Sequence, residues 1–209
     1  IVGESGSGKS LTALSIAGLL SDSKLKVESK KLQLGENDLS KLSQKDWEST
    51  RGKNIGMVFQ EPQSSLNPSM RCGIQVMERL QKFEKGDKKT NVAKVLSAFN
   101  EVQLPNPERV FKAYPHELSG GQKQRVMIVM ALICKPQLLI ADEPTTALDV
   151  SVQKEILSLI KEQQKINKMS ILFISHDLSL VSQFADRVIV IHQGKLIETE
   201  KTAKIFRHP

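Results

Sequence analysis

The residues that could do chemistry cluster at four places. Near the start, Gly3-Glu4-Ser5-Gly6-Ser7-Gly8-Lys9-Ser10 fits G-x-x-x-x-G-K-[ST], a loop whose backbone N–H groups wrap a nucleotide's phosphates. Gly3, Gly6 and Gly8 allow backbone angles and close approaches that a Cβ would block. Lys9 can reach the β- and γ-phosphates as a point charge, and Ser10 can place its hydroxyl on Mg²⁺. Far along the chain, Asp142 and Glu143 follow the apolar run Leu138-Leu139-Ile140-Ala141. An aspartate there suits holding Mg²⁺ opposite the loop hydroxyl, usually through water. Glu143, one residue on, is free to polarise a water toward the γ-phosphate. His176 could reach the same phosphate or position the attacking water. Gln60 could contact Mg²⁺ or water through its amide. His116, His192 and His208 earn no role from their spacing.

Each of these groups needs an element to hold it. Leu11 to Ala17 reads as a helix, which would set the phosphates at a helix N-terminus, where peptide dipoles and unpaired N–H groups favour anions. Ser21-Asp22-Ser23 reads as a polar loop, residues 24–35 as short strand and turn, and Leu39 to Glu48 as a helix around Trp47, assigned to packing. Ile55 to Phe59 is a buried strand that delivers Gln60 at its C-terminal end. Glu61-Pro62 and Asn67-Pro68 break regular structure. From Gly73 to Phe111 the pattern is helical, with Val92, Val95, Leu96 and Phe99 on one stripe. A helix through Arg125 to Ile133 follows Leu118-Ser119-Gly120-Gly121-Gln122. Pro136 stops it, and Leu138 to Ala141 is a short strand. Asp149 is placed to cap a helix carrying Val152, Ile156, Leu159 and Ile160. Ser170 to Ser175 is a strand, and Arg187 to His192 with Leu196 to Thr199 forms a hairpin about Gln193-Gly194-Lys195. Lys9, Gln60, Asp142 and His176 then all follow strands, as a ligand site at the carboxyl edge of a parallel α/β sheet requires.

Bulk properties narrow the partners. The 209 residues are 39% hydrophobic and 25% charged, ordinary for a globular protein with a real core. The longest strongly apolar run, Val126 to Cys134, falls far below the roughly 18 residues of a membrane span. The net charge of +7 comes from lysines scattered among acids, with few aromatics for base stacking, so a solvated surface fits better than a nucleic-acid interface. Cys72 and Cys134 lack metal spacing, and Cys134 is expected to be a small buried thiol. The start at Ile1, inside the strand that should precede the phosphate loop, is what a piece of a longer reading frame would show.

The ordered set GESGSGKS, VFQEP, LSGGQKQR, LLIADEP, TALD and ISHD resembles the nucleotide-binding domain of ABC transporters over essentially the whole chain. The decisive piece is Leu118-Ser119-Gly120-Gly121-Gln122, which other phosphate-loop ATPases lack. Its physical sense is a second helix start for phosphate, with Ser119 and the N–H groups near Gly121 facing an anion. The resemblance implies an α/β phosphate-loop core with a mainly parallel sheet over 1–60 and 118–209, and a helical subdomain over about 61–117 that touches the membrane partner. It makes Gly3 to Ser10 the phosphate and Mg²⁺ loop, Asp142 the Mg²⁺ carboxylate, Glu143 the catalytic base, Gln60 the coupling glutamine and His176 the switch histidine. Asp149 belongs to the loop crossing a dimer interface, and Ser119 to Gln122 complete the ATP site of a second copy. The implied ligands are ATP and Mg²⁺. The implied partners are a second such domain, integral membrane permease subunits and, indirectly, an extracytoplasmic solute-binding protein, at the cytoplasmic face of the membrane and without nucleic acid. Arg51-Gly52-Lys53, Ser65-Leu66-Asn67-Pro68, Tyr114-Pro115-His116-Glu117 and Ala141 through Val152 narrow the likeness to the di- and oligopeptide importer branch, which includes nickel and glutathione systems. The rival expectation is a soluble ABC ATPase acting on ribosomes or DNA. The long coiled coils of the DNA-repair members would require sustained heptads, which this sequence lacks.

Overall fold

Alternation along the apolar strands explains the layering. The computed structural model describes residues 1–20, 25–60, 65–145 and 148–207; Ser21 to Ser23, Glu61-Pro62, Thr146, Ala147 and His208 lie outside the described residues. Strands β3 (Ile55–Val58), β4 (Leu138–Asp142) and β5 (Ser170–Ile174) form a parallel sheet in the order β3-β4-β5. Successive β4 side chains enter different cores: Ile140 packs with Ala13, Ala17 and Ile174, whereas Ala141 packs with Leu157, Phe173 and Val181. Both faces are covered, as a parallel sheet built from β-α-β crossovers demands. Burying one such isoleucine stabilises the fold by about 1.5–3 kcal/mol.

The start of the chain links this sheet to a second one. The N–H of Ser175 donates to the Ile1 carbonyl at 3.2 Å, while the N–H of Val2 donates to Ile189 and that of Ile191 to Val2, each at 2.8 Å. Val2 makes a parallel bridge with Val190. Residues 1–2 therefore lie between β5 and β6 (Arg187–His192), which pairs antiparallel with β7 (Lys195–Lys201). The hairpin turn has Gln193 at φ 47° and Gly194 at φ 74°, the paired positive angles of a tight turn matched to strand twist.

Helix α1 (Lys9–Ile16) follows the phosphate loop. A small ribbon, β1 (Gln33–Leu34) with β2 (Asn37–Asp38), precedes α2 (Gln44–Lys53). The single helix expected over Leu39 to Glu48 is instead a 3₁₀ turn, Leu39–Lys41, and a separate helix. The break comes from Ser43, whose hydroxyl accepts from the N–H of Asp46 while the Asp46 carboxylate accepts from the N–H of Ser43. Ser-x-x-Asp is a helix start written inside the expected helix. Trp47 packs on α1, filling the space above Gly18.

Helices α3 (Cys72–Phe83), α4 (Lys88–Glu101) and α5 (Pro107–Lys112) occupy the predicted helical stretch. Val95 and Phe99 of the expected stripe are fully buried. These helices share one continuous core with α6 (Gly120–Leu132) and α7 (Val150–Asn167). Arg125 ties the group together: its guanidinium donates to the Val102 carbonyl at 2.6 Å and pairs with Glu155 at 2.8 Å. Helix α8 (Leu178–Phe184) and the short α9 (Thr202–Ile205) complete the chain. The expected buried thiol at Cys134 is only half-buried, its Sγ 3.8 Å from the Arg79 carbonyl; Cys72 is the buried one, its thiol pushed up to about 11 chiefly by burial. Helix α6 ends at Leu132, so Cys134 falls on the turn toward Pro136 rather than on the inner helix face.

Candidate active site

Helix α1 begins without a side-chain cap. Its N-cap is Gly8 at φ 101°, and its first turn carries no acid. Its leading N–H groups are left for an anion. The loop before it is held at several points. Gly3 stands so close to the Ile191 carbonyl that a Cβ would collide with it, and the N–H of Gly194 donates to the Ser7 carbonyl at 3.0 Å. Lys9 is buried, and its ammonium donates to the carbonyls of Gly3 at 2.9 Å and Glu4 at 2.8 Å. Those bonds fold the cation over the loop.

Asp142 ends β4 beside this loop, 6% exposed. Burial raises its pKa; the nearby Ser10 hydroxyl and the charge of Lys9 pull it down, while Glu143 pushes it up. Two of the four buried side-chain atoms without a hydrogen-bond partner among the described residues are Asp142 Oδ1 and Ser7 Oγ. A buried carboxylate oxygen with no partner is costly, and a hard cation between it and the Ser10 hydroxyl would satisfy it. The donor set fits Mg²⁺ shared with phosphate better than an all-protein metal cage. Among the described residues no cluster of three or more histidine, cysteine or acidic side chains could hold a metal alone.

Glu143 is the centre of the remaining group. One carboxylate oxygen accepts from Gln60 Nε2 at 3.1 Å, and the other lies 3.2 Å from His176 Nδ1. Strand ends set this meeting: β3 delivers Gln60, β4 delivers Glu143 and β5 delivers His176. Glu143 sits at φ 45°, and its N–H donates to the Ile174 carbonyl at 3.0 Å. A non-glycine residue in the left-handed region costs about 1–3 kcal/mol and is typical of sites where geometry is held for function. Beside it a cavity of about 190 Å³ opens between Pro144, Thr145, Gln153 and His176.

The other predicted positions fall elsewhere. Ser119 caps α6: its hydroxyl accepts from the N–H of Gln122 at 3.3 Å, and the Gln122 side chain accepts from the N–H of Ser119 at 3.1 Å. Gly120 and Gly121 lie against Leu148 and Val152, at the start of α7. Asp149 Oδ1 accepts from the N–H of Val152 at 3.0 Å, the expected cap.

Sequence reasoning missed four contributors. His192 and Gly194 reach the phosphate loop, with His192 Nδ1 3.8 Å from Glu4; only the sheet order reveals this. Gln124, 1% exposed, donates its amide to the Pro144 carbonyl, and Gln153 donates to Thr145 Oγ1 at 3.0 Å. A buried polar residue on an apolar helix was the available signal for Gln124.

Residues 1–146 match the family model described as ABC transporter. The chain belongs to the ABC transporter family. It is 47% identical over 209 residues to the dipeptide transport ATP-binding protein DppD of Haemophilus influenzae, covering 100% of this chain and 63% of that protein. It is also 47% identical over 212 residues to the oligopeptide transport ATP-binding protein OppD of Bacillus subtilis, covering 100% of this chain and 59% of that one. The chain thus spans just under two thirds of the length of these curated relatives. Among solved structures it resembles an ATP-binding cassette described as a dimer in a post-hydrolysis state bound to ADP and Pi, with a TM-score of 0.83 and 28% identity over 96% of this chain and 83% of that one. These likenesses fit the expected α/β phosphate-loop fold and the expected importer branch. They give no support to a ribosome- or DNA-acting ATPase.

Proposed function

We propose that this chain is the ATP-binding and ATP-hydrolysing part of an importer for peptides or similar small solutes. The carrying observation is the Gln60–Glu143–His176 cluster at the carboxyl edge of the sheet, next to the phosphate loop and Asp142. In this reading Gly3 to Ser10 bind the phosphates, and Lys9 exchanges its loop carbonyls for phosphate oxygens. Ser10 and Asp142, with Gln60, would hold Mg²⁺, which supplies charge neutralisation at the phosphates. Glu143 accepts a proton from the attacking water, and His176 holds that carboxylate in register. Ser119, Gly120, Gly121 and Gln122 act on the nucleotide of a second domain, and Asp149 stands at the interface between the two. Residues 61–117 act as a helical subdomain that transmits closure to membrane permease subunits, placing the chain at the cytoplasmic face of the membrane. A solute-binding protein outside would choose the cargo. The dipeptide and oligopeptide names of the relatives support that class.

The test is Glu143→Gln in the full-length protein. The variant keeps the Gln60 and His176 neighbours but loses the base. ATP binding is expected to persist while hydrolysis falls at least about a hundredfold. Hydrolysis near the wild-type rate would remove Glu143 from this role.

A further inference from the structure

We propose that Gln124 is a positioning residue that couples the two nucleotide sites of the assembled pair, through the carbonyl that follows the catalytic glutamate. The inference rests on the reading above, in which the Ser119 turn acts on the nucleotide of a second copy, and goes beyond it.

The peptide around Glu143 is held from both sides. On its N-terminal side, the Glu143 N–H is bonded to the Ile174 carbonyl of β5 at 3.0 Å. On its C-terminal side, Pro144 offers no N–H, and its carbonyl accepts from the Gln124 amide. Glu143 between them keeps φ 45°, a backbone state that persists only where its surroundings impose it. The restraint from β5 is part of the sheet. The restraint from Gln124 belongs to α6, the helix whose first turn is Ser119 to Gln122.

Helical geometry places both jobs on one face. Gly121, Gln124 and Arg125 are three and four residues apart, so they share a side of α6. That side lies on α7 and the segment leading to it: a Cβ on Gly121 would come within 3.1 Å of Val152, and Arg125 pairs with Glu155. Gln153 of α7 donates to Thr145 Oγ1 at 3.0 Å and so fixes the next residue of the catalytic segment. The turn 143–145 is therefore held by one buried bond from α6, through Gln124, and one from α7, through Gln153. Gln124 and Thr145 are 1% and 5% exposed, which shields those bonds from competing water.

The consequence concerns two different nucleotides. The first turn of α6 faces the phosphate held by the second copy, whereas Glu143 acts on the phosphate held by its own loop. A shift of α6 when the neighbouring site fills moves the Gln124 amide, and with it the Pro144 carbonyl and Glu143. The coupling runs through the bond from Gln124 to the Pro144 carbonyl.

The experiment uses the full-length protein with its transporter partners. Gln124→Met keeps volume and removes the amide donor; Gln124→His keeps a ring N–H that can reach the same carbonyl. Rates are measured against ATP concentration, with ADP affinity measured separately. Gln124→Met is expected to lose cooperativity in ATP and to fall about ten- to a hundredfold in kcat, the scale of a slightly misplaced base, with ADP affinity unchanged. Gln124→His is expected to recover most of both. If Gln124→Met does not fold, Gln124→Asn, whose shorter side chain cannot reach, replaces it with the same expected losses. Wild-type cooperativity and kcat in the Met or Asn variant would overturn the inference, as would an equal loss of ADP affinity. ATP-driven pairing of Glu143→Gln, run alongside, separates the two failures. If that variant does not pair, the reading of a site shared between two copies itself fails. If it pairs and Gln124→Met behaves as wild type, only the role of Gln124 falls.

Discussion

Asp142 is a side chain whose burial costs the fold something that a bound cation would return. Its pKa is raised first by burial, against the pull of Ser10 and Lys9, and one of its oxygens has no partner. A carboxyl whose folded pKa exceeds its unfolded value, near 4, binds its proton more tightly in the native state. In its ionised form it subtracts from stability, and that penalty fades as pH falls through the raised pKa toward the unfolded one. Asp142→Asn is therefore expected to stabilise the nucleotide-free protein by roughly 1 kcal/mol at pH 7. The gain should shrink toward pH 4, while Mg²⁺-dependent ATP hydrolysis is lost. Urea unfolding at the two pH values, paired with a hydrolysis assay, checks this. A variant less stable than wild type at pH 7 would contradict it. The residue types at this site were legible because glycine, lysine and paired acids at fixed spacing have little other use. The Gln60–Glu143–His176 contacts were not, because hydrogen bonds among residues 83 and 33 positions apart in sequence depend on the order β3-β4-β5.

At the scale of elements, periodicity read most of the helices and strands because the core faces enforce it. Ile156 and Ile160 in α7, and Val95 and Phe99 in α4, are fully buried. It failed at Ser43, where a local capping box outweighed the apolar pattern. It also could not show that α6 is a hub, touching β3 on one side and α3, α4 and α7 on others. Gly56 makes the first of these contacts possible. A Cβ there would collide with the Ala131 carbonyl and lie 3.1 Å from Pro136, and Gly56 has no positive φ to explain its identity. Its role is close approach of strand to helix. Gly56→Ala should cost about 1–3 kcal/mol by overpacking, visible as a lower urea midpoint. Because α6 also carries Gln124, hydrolysis should fall with nucleotide affinity retained. An unchanged midpoint would mean that α6 yields freely, and would weaken the view of it as a rigid connector.

Over the whole molecule, the division of labour predicts an arrangement that no single chain can display. Lys9 and Glu143 stand with the phosphate loop, whereas Ser119 caps a different helix. If each nucleotide is gripped by the loop of one copy and the Ser119 turn of another, a two-fold pair contains two composite sites. Lys9→Ala spoils the loop half of both sites in a pair of identical copies, and Ser119→Arg spoils the other half of both. Mix the two variants, and a mixed pair has one site carrying both lesions and one carrying neither. Hydrolysis should reappear on mixing, at roughly a quarter of wild type if pairing is random and sites contribute equally. Coupling through Gln124 would reduce that figure, and Gln124→Met in both variants should then alter the yield of the rescue. The measurement is a mixing series at constant total protein, with the activity maximum expected near equal amounts. Absence of rescue, in protein that still pairs when Glu143→Gln is given ATP, would rule out the crossed geometry and leave the Ser119 turn as no more than the cap of its own helix.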